Sequence, residues 1–365
     1  MAIELWDSGT LYEVLRDDRM DPIPDWFMQN YFREQFFSED KEIRFSELPA
    51  ADRKMAPFVL PTEQGKPIFS AKGETMKAFE PAYIKPKDAV RAEDARTRRP
   101  SEILRNAGQP LTLEQKFDNR VIEIVEYHQR AIRIQWARMC AQAYIDAKVT
   151  VKYGRDQGAA NPEVTIDYGR DPNLNIVLNT NYWSDPDYNI IGDLTNWSNL
   201  MYGTKFGARP RRLTVGADVA PHIQRNKGIL ALLSTQIRGG ESTTMERGMF
   251  NIDQPMSYIA TIGGIGQAIE VWTYKDQVQN DDGSLIDLLH PKDVILEAPG
   301  FRGVMAFGAI YDVDAIEAGQ ALQIDIFPKM FKTPDPGELF IMHQSAPLPV
   351  ALTPNRVLKA RVLAG

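Results

Sequence analysis

Beyond Pro110, apolar residues recur at helical spacing: Leu113, Phe117, Val121, Ile124, Val125, Ile132, Trp136, Met139, Cys140 and Ala143 keep one face through about Ala147. Thr112, with Gln115 three residues later, is a capping-box signature. The pattern predicts a helix over 112–147, 36 residues that would span about 54 Å at the standard rise. That exceeds an ordinary globular helix, so it reads as a spine.

Towards the N-terminus the pattern is less regular. Leu11, Val14 and Leu15 are helically spaced, Asp21-Pro22-Ile23-Pro24 interrupts them, and Asp25 to Phe32 resumes the period to about Phe36-Phe37. Glu42-Ile43-Arg44-Phe45-Ser46 then alternates polar and apolar, the period of a half-buried strand. Pro57, Pro61, Pro67, Pro81 and Pro86 punctuate short extended pieces that carry Phe58, Ile68, Phe69, Phe79 and Tyr83. Such a stretch cannot build a core of its own. It reads as a long loop or hairpin that needs another surface to lie on. Arg91 to Arg105 is an arginine-rich connection.

After the spine, Val149–Tyr153 and Val164–Tyr168 read as strands across Gly158 and Asn161-Pro162. Ile190, Leu194, Trp197, Leu200 and Met201 predict a helix ending at Gly203. Arg209-Pro210 marks the entrance to a second region, with a strand at Leu213-Thr214-Val215 and a helix near Asp218–Arg225. Met256–Ile262 and Ala268–Tyr274 pair across Gly263-Gly264-Ile265-Gly266, and Asn280-Asp281-Asp282-Gly283 is a turn. From Gly300 the chain alternates again (Val304, Ala306, Gly308, Ile310), which predicts a return to the first region. The fold class is α+β.

Length supports this division, since 365 residues exceed the roughly 250–300 at which one core usually splits. Composition adds mainly exclusions. A net charge of −7 argues against a dedicated nucleic-acid binder but suits a wall that encloses DNA without gripping it. The single cysteine, Cys140, cannot form an internal disulfide. The start has no signal-peptide pattern, and no apolar run approaches the ~20 residues of a membrane span. The chain reads as a soluble cytoplasmic product without membrane contact.

A search for chemistry finds little. His128, His222, His290 and His343 are scattered without metal-binding spacing, so no metal site is expected. The glycines at 263–266 lack both dinucleotide and phosphate-loop spacing and fit a hairpin. Asp312 and Asp314, read as neighbours on one solvated strand face, suit a surface role better than acid–base catalysis. Cys140 sits inside the spine, where packing is favoured over nucleophilic attack. Arg96, Arg98 and Arg99 suit either DNA phosphates or intersubunit ion pairs. No catalytic residue and no cofactor is expected.

Six blocks, in order, decide the reading. They are Tyr31-Phe32-Arg33-Glu34 with Phe36; Pro57 through Phe79-Glu80-Pro81-Ala82-Tyr83-Ile84-Lys85-Pro86-Lys87; Thr97-Arg98-Arg99-Pro100 with Glu102; Ile166-Asp167-Tyr168-Gly169-Arg170-Asp171, with Tyr182-Trp183-Ser184-Asp185 and Asp193-Leu194; Phe307-Gly308-Ala309-Ile310 with Asp312 and Asp314; and Gln344-Ser345-Ala346-Pro347-Leu348. Together they resemble the phage major capsid protein E family.

The resemblance implies the Hong Kong 97-type capsid fold. On it the chain divides into an N-terminal arm (1–40), an extended E-loop (41–90), a P-domain with the spine helix (91–208), an A-domain (209–299) and a return to the P-domain (300–365). It implies a structural subunit forming hexamers and pentamers of an icosahedral head around double-stranded DNA, bound without sequence specificity. Assembly in the host cytoplasm, a virion location, a separate scaffolding protein, a portal and room for a decoration protein follow by the same analogy. Relatives that cross-link an E-loop lysine to a neighbour draw attention to Lys66, Lys72, Lys77, Lys85 and Lys87, but no cross-links are expected here. Phe58, Ile68, Phe69, Phe79, Tyr83, Arg98 and Arg99 are the subunit-interface candidates. Two other readings stay open: an encapsulin-like compartment holding an enzyme cargo, and a hydrolase with an unrecognised site.

Overall fold

The computed structural model describes residues 11, 23–40, 42–46, 76–91, 112–152, 163–236, 255–263, 268–280, 282–317, 324–334 and 337–364. The arm contributes α1 (Trp26–Tyr31) and β1 (Glu34–Phe37). The next segment holds β2 (Ile43–Ser46), β3 (Met76–Phe79) and β4 (Lys87–Val90). The long helix α2 (Leu113–Ile145) leads into β5 (Lys148–Lys152) and β6 (Glu163–Asp167). Then come β7 (Asn175–Val177), α3 (Ile190–Gly203), β8 (Arg212–Val215), α4 (Ala220–Arg225) and α5 (Lys227–Gln236). They are followed by β9 (Met256–Ile262), β10 (Ile269–Tyr274), β11 (Gln277–Gln279), β12 (Leu285–Asp287) and β13 (Asp293–Glu297). The last elements are β14 (Gly303–Phe307), α6 (Val313–Glu317), β15 (Phe327–Lys332), β16 (Leu339–Gln344), β17 (Pro347–Ala351) and β18 (Val357–Arg361).

The spine forms where its periodicity predicts. Gln115 N–H donates to Thr112 Oγ1 at 3.2 Å, and Thr112 N–H donates to Gln115 Oε1 at 3.1 Å, which completes the capping box. Of its predicted apolar face only Leu113 is exposed; Val121, Ile132, Trp136, Cys140 and Ala143 are buried. At the other end, the buried Arg170 donates to the carbonyls of Tyr144 and Ile145, each at 2.6 Å, and to Pro354 O at 3.3 Å. One guanidinium thus satisfies two of the orphan carbonyls that every helix end leaves. Ala147, at φ 52°, then turns the chain into β5, which pairs antiparallel with β6.

Two hydrophobic cores organise the rest. The first packs α2 against the sheets β1-β14-β17 and β15-β16-β4. The second packs α3, α4 and α5 on a six-stranded sheet of order β7-β18-β13-β8-β10-β9. Strand alternation makes that sheet a shared wall: Val294, Leu296, Leu358 and Ala360 face the second core, while Ile295 and Val357 face the first.

Several features of this layout bear on the sequence reading. Leu174, Trp183, Ile190 and Leu194, which precede Arg209, pack in the second core. The stretch from 300 is divided: β14 to β17 join the first core, but β18 pairs with β13 and with β7 in the six-stranded sheet. The arm helix stops at Tyr31. Glu34–Phe37 is instead a strand, running parallel to β14 with Phe37 stacked on Phe307 at 5.3 Å.

Candidate assembly surface

Arm, loop root and first core meet along β14, and glycines at and just beyond its ends make the meeting possible. A β-carbon at Gly303 would lie 2.6 Å from the ring of Phe32, and one at Gly308 would overlap Pro81. The arm is anchored by aromatic packing. Tyr31 stacks on Tyr144 at 4.2 Å, with Trp26, Phe27, Tyr274 and Phe301 around them. Tyr31 donates to Glu297 Oε2 at 2.5 Å and accepts from Tyr144 at 3.1 Å. Burial, helped by the Glu297 carboxylate, pushes the Tyr31 phenol far above its ordinary value, so it stays a donor.

The loop root is held in the same way. β2 and β3 pair antiparallel, Phe79 stacks on Phe45 at 5.7 Å, and Phe45 leans on Tyr168. The Tyr83 hydroxyl donates to Ala309 O and accepts from Tyr311 N–H at 3.3 Å; burial raises its pKa. Lys85 lies over the Tyr83 ring and Lys87 over Phe340, at 5.2 and 4.0 Å.

Phe79 and Tyr83, two of the expected interface residues, are therefore half-buried and engaged within their own subunit. Phe58, Ile68, Phe69, Arg98 and Arg99 lie outside the described residues, as do Lys66, Lys72 and Arg96.

Exposed apolar side chains lie close to that junction. Phe36 is 50% exposed, and Tyr311, Val313 and Ile316 are 56, 68 and 64% exposed. The last three sit on and beside α6, which follows β14 directly. Nothing in the sequence period singled them out, because a short exposed helix has no core face to mark.

Asp312 and Asp314 are not on a strand. Asp312 precedes α6 and accepts from the Asp314 N–H, and Lys329 bridges both carboxylates at 2.8 and 2.7 Å. Burial would raise the Asp312 pKa, but hydrogen bonds from Lys329 and Gln344 outweigh it, and the net shift is downward. The pair is a tether beneath the exposed patch. Cys140 is a fully buried free thiol, pushed up by burial and unsuited to attack. His222 and His290 do not meet, whereas His128 and His343 do, an association their spacing does not announce. Among the described residues there is no group of three His, Cys, Asp or Glu side chains suited to a metal, and no helix long and apolar enough to cross a membrane.

Comparison with known proteins bears on this surface. The family model described as phage major capsid protein E matches residues 13–362. The major capsid protein of Escherichia phage N15 is 24% identical over 344 residues, covering 94% of this chain and 95% of its own. That of Escherichia phage lambda is 24% identical over 363 residues with the same coverage. A crystal structure of a prophage protein from E. coli CFT073, assigned as a capsid protein, superposes with a TM-score of 0.64 at 19% identity, over 98% of this chain and 99% of that one.

Proposed function

Because the chain belongs to the phage major capsid protein E family and is a structural shell subunit, not an enzyme, we propose a specific mode of assembly for it. The subunit forms hexamers and pentamers of an icosahedral head that encloses double-stranded DNA without sequence-specific contacts. It assembles in the host cytoplasm with a separate scaffolding protein and a portal, and carries a decoration protein on the finished shell. The E-loop, with Phe58, Ile68 and Phe69, lies over an adjacent subunit, while Phe79 and Tyr83 fix its root. Arg98 and Arg99 form ion pairs between subunits.

The observation that carries this reading is the exposed apolar group Tyr311, Val313 and Ile316 beside the junction of arm and loop root. Large apolar side chains gain roughly 1.5–3 kcal/mol each when buried, so such a cluster favours association. The acidic balance of the chain disfavours tight phosphate binding and fits a container.

Electron microscopy of the purified protein, expressed with and without the scaffolding protein of its phage, tests the proposal. Closed shells or capsomer rings are expected. A protein that stays monomeric in both cases sinks it. Particles filled with a host enzyme in place of DNA, recovered from infected cells, would instead support the compartment reading.

A further inference from the structure

Two histidines 215 positions apart meet in the first core. His128 on α2 and His343 on β16 are both fully buried, and their Nδ1 atoms are 2.9 Å apart. His128 Nε2 is also 2.7 Å from a carboxylate oxygen of Asp88 on β4, whereas His343 Nε2 has no partner. A line of contacts therefore runs from the last strand of the loop segment, through the spine helix, into the central strand of the β15-β16-β4 sheet.

The surroundings are sparsely charged. In register, His343 sits opposite Pro328, and Ile341 lies between Met330 and Asp88. Strand alternation therefore turns Asp88, Ile341, His343, Pro328 and Met330 toward the helix, with Lys332 at the exposed end of β15. Lys87 lies on the opposite face over Phe340, and Lys329 is held there by Asp312 and Asp314. On α2, Glu126 and Arg130 stand two positions from His128 and so point away from it. Among the described residues, Asp88 is the one charge that touches the pair.

Hydrogen counting sets the behaviour. In the neutral pair, His128 Nε2–H donates to Asp88, and His343 Nδ1–H donates to the bare Nδ1 of His128. This leaves a lone pair on His343 Nε2. One added proton can be accommodated: His128 becomes an imidazolium against Asp88 and donates both ways, while His343 shifts its own hydrogen to Nε2. A second proton cannot. Two N–H groups would then point at each other across 2.9 Å, with no further acceptor among the described residues.

We propose that the His128–His343 contact is an acid-released latch that holds β16, and through its pairing β4 and the C-terminal root of the 41–90 segment, onto the spine helix. It is closed with one hydrogen between the two Nδ1 atoms and opens when both rings are charged. Burial, and then the neighbouring His128, hold His343 down to about 3. Burial also lowers His128, against the pull of Asp88. Once β16, with β4 paired to it, leaves the helix, both rings return toward 6.5, so acid drives opening. Describing the freed segment as the assembly loop rests on the proposed function; the latch does not.

Hydrogen–deuterium exchange on the unassembled full-length subunit, corrected for intrinsic rates, separates the two. Between pH 7 and pH 4, protection of residues 84–91 is expected to fall at least tenfold relative to the β5–β6 pair. In His343→Phe, which keeps a ring but removes one of the two titrating groups, the fall should be markedly smaller. If that variant fails to fold, nitrogen NMR of wild-type imidazoles decides: hydrogen on Nε2 of His128 and Nδ1 of His343 at pH 7 is expected. Unchanged protection in the wild type, or both rings charged with β4 still protected, would overturn the latch. Failure to form shells would leave these results untouched and would count only against the assembly reading.

Discussion

Pro81 packs directly on Gly308, so closely that a β-carbon at residue 308 would overlap the proline ring. The loop root can therefore cross the end of β14 only where the strand is followed by a residue without a side chain. Replacing Gly308 by Ala forces the root to shift, and overpacking of this kind costs about 1–3 kcal/mol. The expected result is a lower urea midpoint at unchanged slope. A variant as stable as the parent would show that the crossing yields freely.

Arg170 offers a larger effect. Its guanidinium serves Tyr144 O, Ile145 O and Pro354 O from a buried position. Arg170→Met removes all three donors at once and should cost about 3 kcal/mol or more. Arg170→Lys should recover only part of this, because one ammonium cannot reproduce the planar fork. Thermal unfolding of the three proteins provides the ranking.

Stability should depend on pH through the buried histidines. In the unfolded chain both titrate near 6.5, while folded His343 takes its proton only near 3. Between those values the unfolded state binds more protons, so the contribution is full above about 6.5 and is lost as pH falls toward 3. The loss is on the order of a few kcal/mol, since each tenfold difference in proton affinity between the folded and unfolded chains is worth about 1.4 kcal/mol. Denaturant titrations at pH 7.5, 6, 5 and 4 check it, and a His343→Phe variant should show a flatter profile.

Assembly should be separable from folding at the exposed patch. Val313 and Ile316 are 68 and 64% exposed, so Val313→Asp with Ile316→Glu should change subunit stability by roughly 0.5 kcal/mol per site or less. Sedimentation should nevertheless show loss of particles. Shells at normal yield would remove this patch from the interface.

The loop tip allows a parallel test. Deleting Gly65 to Gly73, which removes Phe69 with the tip, should leave circular dichroism unchanged and abolish shells. Phe79 must stay in that variant, since its stacking on Phe45 belongs to the root. A denaturing gel of mature particles should show single subunits; a covalent ladder would contradict the expectation of no cross-links.

The spine was legible because its period and its capping box are local signals that agree. The same holds for β9, whose seven residues fall where the pairing across the glycines at 263–266 places them. What escaped depends on distant partners. Phe36 and Phe37 continue the helical spacing, and only the edge of β14 turns them into a strand. His128 and His343 look solitary until two sheets fold around the helix. Asp312 and Asp314 alternate like strand residues, yet a cap at the start of α6 and Lys329 explain them better. The absence of a catalytic motif and the six family blocks were readable directly, and they carried more of the functional conclusion than the periodicity did.

Strand β18 lies between β7 and β13, close to the middle of neither the chain nor its order of synthesis. Residues 175–177 wait for partners at 359–361, and such distant pairing makes folding slow. A ribosome must pass Arg361 before the six-stranded sheet can close and the second core can seal. Nascent or truncated chains then lack that core and would present a ragged sheet edge to any neighbour. In a shell built from many copies, where one defective tile compromises a closed surface, a chain without β18 is a poor building block, because its second core stays open.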